Sequence, residues 1–153
     1  GKPGGAIGEF GTGAGVGTAW LASRLQNGAR LLSAEINAEL VDSVKGLFKS
    51  YPQVEIRAGD WKKTMAGESF DLLFMDATPR ADLERGNWDH MIEYVKIGGQ
   101  IVMDDLTPLE LWPPEWADLV VHKREFALRN PRAIGVEVRT TASTAALVMT
   151  RIK

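Results

Sequence analysis

With 153 residues, 44% of them hydrophobic and 25% charged, the chain has the length and composition of one ordinary globular domain with a buried core. Its net charge of -2, with Lys and Arg scattered along the chain, provides no electrostatic footprint for nucleic acid or an anionic membrane. The absence of cysteine excludes a disulfide framework, thiolate metal sites and a cysteine nucleophile, and it fits a reducing compartment.

No apolar run is long enough to span a bilayer, and the opening "GKPGGAIGEF" lacks a charged-then-apolar leader pattern, so a cytoplasmic location is expected. Short apolar runs then alternate with helix-like segments. Ala6 to Phe10 predicts a first strand, and Val16 to Leu25 a helix with Trp20, Leu21 and Leu25 inward. Arg30 to Glu35 predicts strand two. Asn37 caps a helix running to about Phe48, with Leu40, Val41, Val44 and Leu47 at helical spacing. Val54 to Ala58 is strand three and Phe70 to Asp76 strand four; Ala81 to Val95 is a predicted helix. Gly99 to Asp105 is strand five, followed by a helix from about Trp116 to Leu128. Two closing strands, "IGVEVRT" and "AALVMTRI", are split by "TAST".

Strands alternating with helices mean parallel strands joined by right-handed crossovers. The last two strands are too closely joined for a crossover and form a hairpin. The predicted fold is a Rossmann-like α/β domain: a seven-stranded mixed sheet, five parallel strands plus a C-terminal hairpin, flanked by helices. Ligands of such sheets sit beyond the carboxyl ends of the strands, at the switch point. The acids fall there: Glu9 beside the first loop, Glu35 ending strand two, Asp60 after strand three, Asp76 ending strand four, Asp104 and Asp105 ending strand five.

The stretch "EFGTGAGVG" carries four glycines in nine positions. A G-x-G-x-x-G dinucleotide fingerprint fits in neither register, because its third glycine falls on Val16 or Thr18, and no G-K-[ST] follows. What remains is acid-x-G-x-G-x-G: Glu9, Gly11, Gly13, Gly15. Small residues admit a ligand close to the backbone, and the helix start after Gly15 offers free N–H groups. An acid beside the loop argues against a phosphate and for a cation. S-adenosylmethionine, with a sulfonium, an ammonium and no phosphate, suits that charge pattern. Read one by one, the loop could be a tight turn and Glu35 a helix-capping acid.

The sequence resembles the class I S-adenosylmethionine-dependent methyltransferases, and among them the catechol and caffeoyl-CoA type O-methyltransferases. "EFGTGAGVGTAWLA" matches their first motif and "LLSAEINAELV" their second; the likeness runs from Gly5 to Lys153. The resemblance implies that Glu9, Gly11, Thr12, Gly13, Gly15 and Val16 hold the donor. It sets Glu35 at the ribose hydroxyls, adds Ile36 to the donor-binding residues, and puts Asp60 near the adenine amino group and Trp61 beside the ring. Asp76 is implied to touch the donor and to act in catalysis. It also implies Mg²⁺ or another divalent cation on Asp76, Asp104 and Asp105, binding two neighbouring acceptor hydroxyls and lowering the pKa of one.

This chain departs from the pattern at two positions: Pro79 stands where relatives often carry a lysine, and Asp105 where Asn is usual. In relatives, helices ahead of strand one cover the acceptor; residues 1–153 read as a single methyltransferase domain without that lid, either a minimal member or a piece of a longer chain. Trp112 and Trp116 in "DLTPLELWPPEW" either wall an aromatic acceptor or pack on the sheet. His90, His122 and the run "HKRE" read as solvated surface. The expected activity is metal-assisted O-methylation of a small catechol-like acceptor. Neither nucleic acid nor a membrane is expected as a partner, and the resemblance points to a homodimer. The alternatives are a metal-independent small-molecule methyltransferase and a donor-binding core without activity.

Overall fold

The computed structural model of the chain describes residues 2–76, 88–117 and 121–153. Residues 81–87 of the helix predicted from Ala81 to Val95, together with Pro79, lie outside these. Among the described residues the strands form one seven-stranded sheet in the order β3-β2-β1-β4-β5-β7-β6. They are β1 (Ala6–Phe10), β2 (Arg30–Glu35), β3 (Val54–Ala58), β4 (Phe70–Met75), β5 (Val95–Leu106), β6 (Ala133–Arg139) and β7 (Ala145–Arg151). The first five run parallel, and β7 lies antiparallel between β5 and β6. Strand order reverses between β1 and β4, as the predicted architecture requires.

The two-residue period of a strand sorts β1 between two cores. Ala6 and Phe10 enter the larger one, with Trp61, Phe70, Met75, Ile92, Met103, Phe126 and Leu147. Ile7 enters the smaller one, with Leu31, Val41, Val44, Phe48 and Ile56, beneath the helices α1 (Val16–Ala22) and α2 (Ala38–Leu47). Asn37 caps α2, its side chain accepting from the Glu39 and Leu40 amides. Val41 and Val44 are buried, whereas Leu47 faces solvent.

Three predicted details are corrected. Helix α1 stops at Ala22, and Trp20 is 70% exposed rather than inward. Thr18 and Ala22 take the sheet-facing side, and a residue two positions past Thr18 lies about 200° around the helix. Residues Asp89–Tyr94 form a 3₁₀ helix, with β5 already begun at Val95. The helix expected from Trp116 is α4 (His122–Arg129); Trp116 belongs to a short 3₁₀ turn, Pro114–Trp116, that the consecutive prolines initiate. A one-turn helix, α3 (Trp61–Thr64), follows β3. No helix among the described residues is long and apolar enough to cross a membrane.

Candidate functional site

The glycine loop leaves β1 at the carboxyl edge of the sheet. Gly11, Gly13 and Gly15 have φ of 97°, 52° and 87°, the left-handed region that side chains disfavour. The alternating glycines are therefore a backbone requirement. The Gly11 amide donates to the Ala34 carbonyl (2.9 Å) and the Gly15 amide to that of Thr12 (2.9 Å), so the loop turns tightly against β2. Glu35, buried at the end of β2, accepts from the Gly13 amide (2.8 Å) and the Asn37 amide (2.9 Å). A side chain built on Gly13 would meet nothing within 4 Å, which leaves the space over the loop open. Val16 and Ile36 are exposed at its rim, 68% and 77%.

Glu9, expected to face the donor, lies beneath the loop and is fully buried. Two residues after Ile7, it points to the same side of the sheet, under α1, directly opposite Ser33 on β2. One carboxylate oxygen, Oε2, accepts from Ser33 Oγ (2.5 Å) and from Thr18 Oγ1; Thr12 Oγ1 extends the network through Ser33. Its Oε1 has no hydrogen-bond partner among the described residues. Burial pushes the carboxyl up to about 7, against the pull of the Ser33 and Thr18 hydroxyls; the Asp76 charge adds to the rise. Glu9 thus supports the loop from below.

Asp60 and Trp61 follow β3. Asp60 caps α3 through the Lys62 amide (2.9 Å). Trp61, expected beside an adenine ring, is instead part of the larger core. It stacks on Phe10 (centroids 4.6 Å apart, 10°), lies parallel to His90 (6.1 Å) and meets the edge of Tyr94.

Asp76 follows β4 and is exposed at the edge. Next to it, β5 carries an irregularity: Met103 pairs with Leu147 but Leu106 with Ala145, so one extra residue is accommodated at Asp104–Asp105. Asp105 has φ 62°, alone in this region among the described non-glycine residues, and its amide donates to Asp104 Oδ1 (2.9 Å). Bulges of this kind re-aim side chains and are common beside active sites. Burial, then the charges of Asp105 and Asp104, raise the pKa of Asp76.

A family model, a methyltransferase domain, matches residues 9–106, well over half of the chain. The chain belongs to the methyltransferase domain family. No curated protein matches the chain by sequence. Among solved structures, this methyltransferase is similar to an O-methyltransferase from Bacillus cereus in complex with SAH. The identity is 22% and the TM-score 0.70, covering 98% of this chain and 75% of that one. It is also similar to the O-methyltransferase TomG from Streptomyces achromogenes in complex with SAM, at 19% identity and TM-score 0.73, covering 97% and 73%. The CurJ carbon methyltransferase has the same fold, at 14% identity and TM-score 0.71, covering 99% and 49%. These likenesses bear out the seven-stranded Rossmann-like sheet, and the family match bears out the methyltransferase domain.

Of the predicted site residues, Gly11, Gly13, Gly15, Val16, Glu35 and Ile36 frame the open loop, and Asp76, Asp104 and Asp105 form an acidic edge beside it. Two residues of "HKRE", Lys123 and Arg124, were read as solvated surface, and both turn inward. Lys123 Nζ donates to the Asp104 carbonyl (3.1 Å). Burial pushes its pKa down, while Asp105, Asp104 and Asp76 hold it up. Arg124, 8% exposed, makes a two-pronged pair with Glu137 (2.7 and 2.9 Å) and donates to the Thr107 carbonyl (2.8 Å). Trp112 Nε1 reaches the same carbonyl (2.9 Å), and the Arg124 guanidinium lies 5.5 Å from the ring centre. Trp112 and Trp116 meet edge to face.

Proposed function

We propose that this methyltransferase transfers the methyl group to an oxygen of a small hydroxylated acceptor of the catechol type. The observation that carries this is the junction at the β1–β4 switch point. There a donor loop with three left-handed glycines, tied to Glu35, opens beside an acidic edge built from a strained bulge. The loop fits S-adenosylmethionine on three counts. The space over Gly13 is open, the Glu35 carboxylate keeps lone pairs for two hydroxyls beyond the two amides it accepts, and the neighbouring acids suit a cation. Gly11, Gly13, Gly15, Glu35, Ile36 and Asp60 would hold it. When bound, it supplies a methyl group on a sulfonium, which an acceptor oxygen takes as the S–C bond breaks. The chain's contribution is alignment of that oxygen, which is worth up to roughly 7–11 kcal/mol in well-oriented reactions.

The resemblance implies a divalent ion as well. Three carboxylates are the right chemistry for a hard cation. Yet among the described residues no three His, Asp or Glu side chains converge on one point, and an ammonium stands beside the cluster. No step is therefore assigned to a metal.

The test is calorimetric titration of S-adenosylhomocysteine, followed by methyl transfer to dihydroxybenzoate and related phenols. Binding together with a methyl ether product supports the proposal. Binding without turnover on any hydroxylated acceptor overturns it in favour of a donor-binding core.

A further inference from the structure

The acidic edge contains a cation that the chain itself provides. Lys123 is the second residue of α4, and its side chain reaches the end of β5. Its Nζ is 3.1 Å from the Asp104 carbonyl oxygen, at the strand end that also carries Asp105 and near enough to Asp76 for all three charges to act on it. Among the described residues one of the three ammonium N–H groups is used, on that carbonyl, which leaves two for a carboxylate or an acceptor oxygen.

The placement is fixed by long-range packing. Arg124, next in the chain, is buried and clasped by Glu137 on β6 and by the Thr107 carbonyl just past β5. The far end of α4 lies directly on β6 at Gly135, where a side chain would come within 1.9 Å of the Ala127 carbonyl oxygen. Helix, hairpin and bulge therefore hold the ammonium at the strand ends as one packed unit.

Three carboxylates at one edge repel a developing negative charge on an acceptor oxygen and need a compensating cation. A divalent ion held by these acids would be repelled by the ammonium, whereas the ammonium alone offsets the acids and donates hydrogen bonds. We infer that Lys123 is the resident cation of the acceptor site, standing where a divalent ion would otherwise be required, so that methyl transfer needs no metal. This rests on the O-methyltransferase reading above. The methyl group moves from sulfur to the acceptor oxygen, the S–C electron pair stays on sulfur, and the hydroxyl proton leaves to water at the open edge. Lys123 holds the oxygen through that change.

The experiment compares the full chain with Lys123→Met and Lys123→Arg. Mg²⁺ binding is measured by titration, S-adenosylhomocysteine binding by calorimetry, and turnover of dihydroxybenzoate in EDTA and in Mg²⁺. The wild type is expected to bind no Mg²⁺ at the acidic edge and to turn over equally in chelator. Lys123→Met should keep its nucleotide affinity, lose about a hundredfold in kcat in chelator, and acquire Mg²⁺ binding that partly restores the rate. Lys123→Arg should retain most of the activity without metal. A merely structural lysine would not convert the enzyme to Mg²⁺ dependence. Wild-type turnover abolished by chelator, or Mg²⁺ binding that is no stronger in Lys123→Met than in wild type, overturns the inference. Nucleotide binding with no turnover at all would instead sink the O-methyltransferase reading, and the Mg²⁺ titrations would still decide the role of Lys123.

Discussion

Replacing Glu9 by Gln tests how the glycine loop is supported. In the unfolded chain this carboxyl ionises near its ordinary value of 4.5; in the fold it keeps its proton until about pH 7. Between those values the native state binds one proton more than the unfolded state, so stability falls as pH rises. The loss is about 3 kcal/mol, at roughly 1.4 kcal/mol per pH unit, and it is complete above about pH 7. For a domain of this size it corresponds to a decrease of roughly 10 °C in Tm.

The Gln variant cannot ionise. It carries its own cost, because the amide nitrogen replaces an Oε1 that has no partner, and that cost is independent of pH. The difference between the two Tm profiles, followed by calorimetry or circular dichroism from about pH 4.5 to 8, isolates Glu9, since every other titrating group is common to both proteins. The variant should gain on the wild type by about 3 kcal/mol across this window. Parallel profiles would refute the reasoning and mean that Glu9 is ionised in the fold at every pH in the range.

Three further outcomes are expected. Glu35→Gln loses a charged acceptor for the Gly13 amide, and S-adenosylhomocysteine affinity should fall by about ten- to a hundredfold in calorimetry. Gly135→Ala drives a methyl into the Ala127 carbonyl and should cost about 1–3 kcal/mol or more in urea unfolding; unchanged stability would show that α4 can lift from β6 without penalty. Glu137→Gln weakens the Arg124 clasp and should cost roughly 2 kcal/mol at neutral pH. Because Arg124 holds Glu137 below the ordinary carboxylate range, that deficit should shrink as the pH falls through the folded-state value of Glu137, where the wild type loses the same interaction.

The donor half of the site was legible because it is local. Loop, strand and cap signals lie within residues 6–61, and β1, β2 and β3 fall on the predicted residues. Glu9 was misplaced although its direction was encoded: Ile7 faces the smaller core, and two residues on the same side follows from strand geometry. The aromatic stack of Trp61 was not legible, because Phe10 and His90 are brought to it from elements far apart in sequence. Lys123 and Arg124 were read as solvated because charged runs in helices usually are; nothing within the run reveals that a bulge in β5 and an acid on β6 await them. One signal existed. Phe126 and Ala127 are apolar and must face the core, and Lys123 lies three residues before Phe126 on the same side of the helix.

The two halves of the site therefore have different physical origins, and their failures should separate. The glycine loop depends on φ values available to glycine, one carboxylate at the end of β2 and a buried network beneath; on the proposed reading, perturbing these should change nucleotide affinity. The acceptor edge depends on how α4 and the hairpin seat against β5, so it is set by Gly135, Glu137 and Arg124, residues that need touch neither substrate. Asp76 links the two. It follows β4, adjoins the loop through the hydrogen bond that its backbone amide donates to the Phe10 carbonyl (2.9 Å), and its charge reaches both Glu9 below and Lys123 beside it. Neutralising Asp76 as Asn should accordingly move two readouts at once: it lowers the Glu9 transition in the Tm profile and weakens turnover. A donor-loop or hairpin substitution should move only one. Independence of the Glu9 transition from Asp76 would mean that the halves meet only through the substrate.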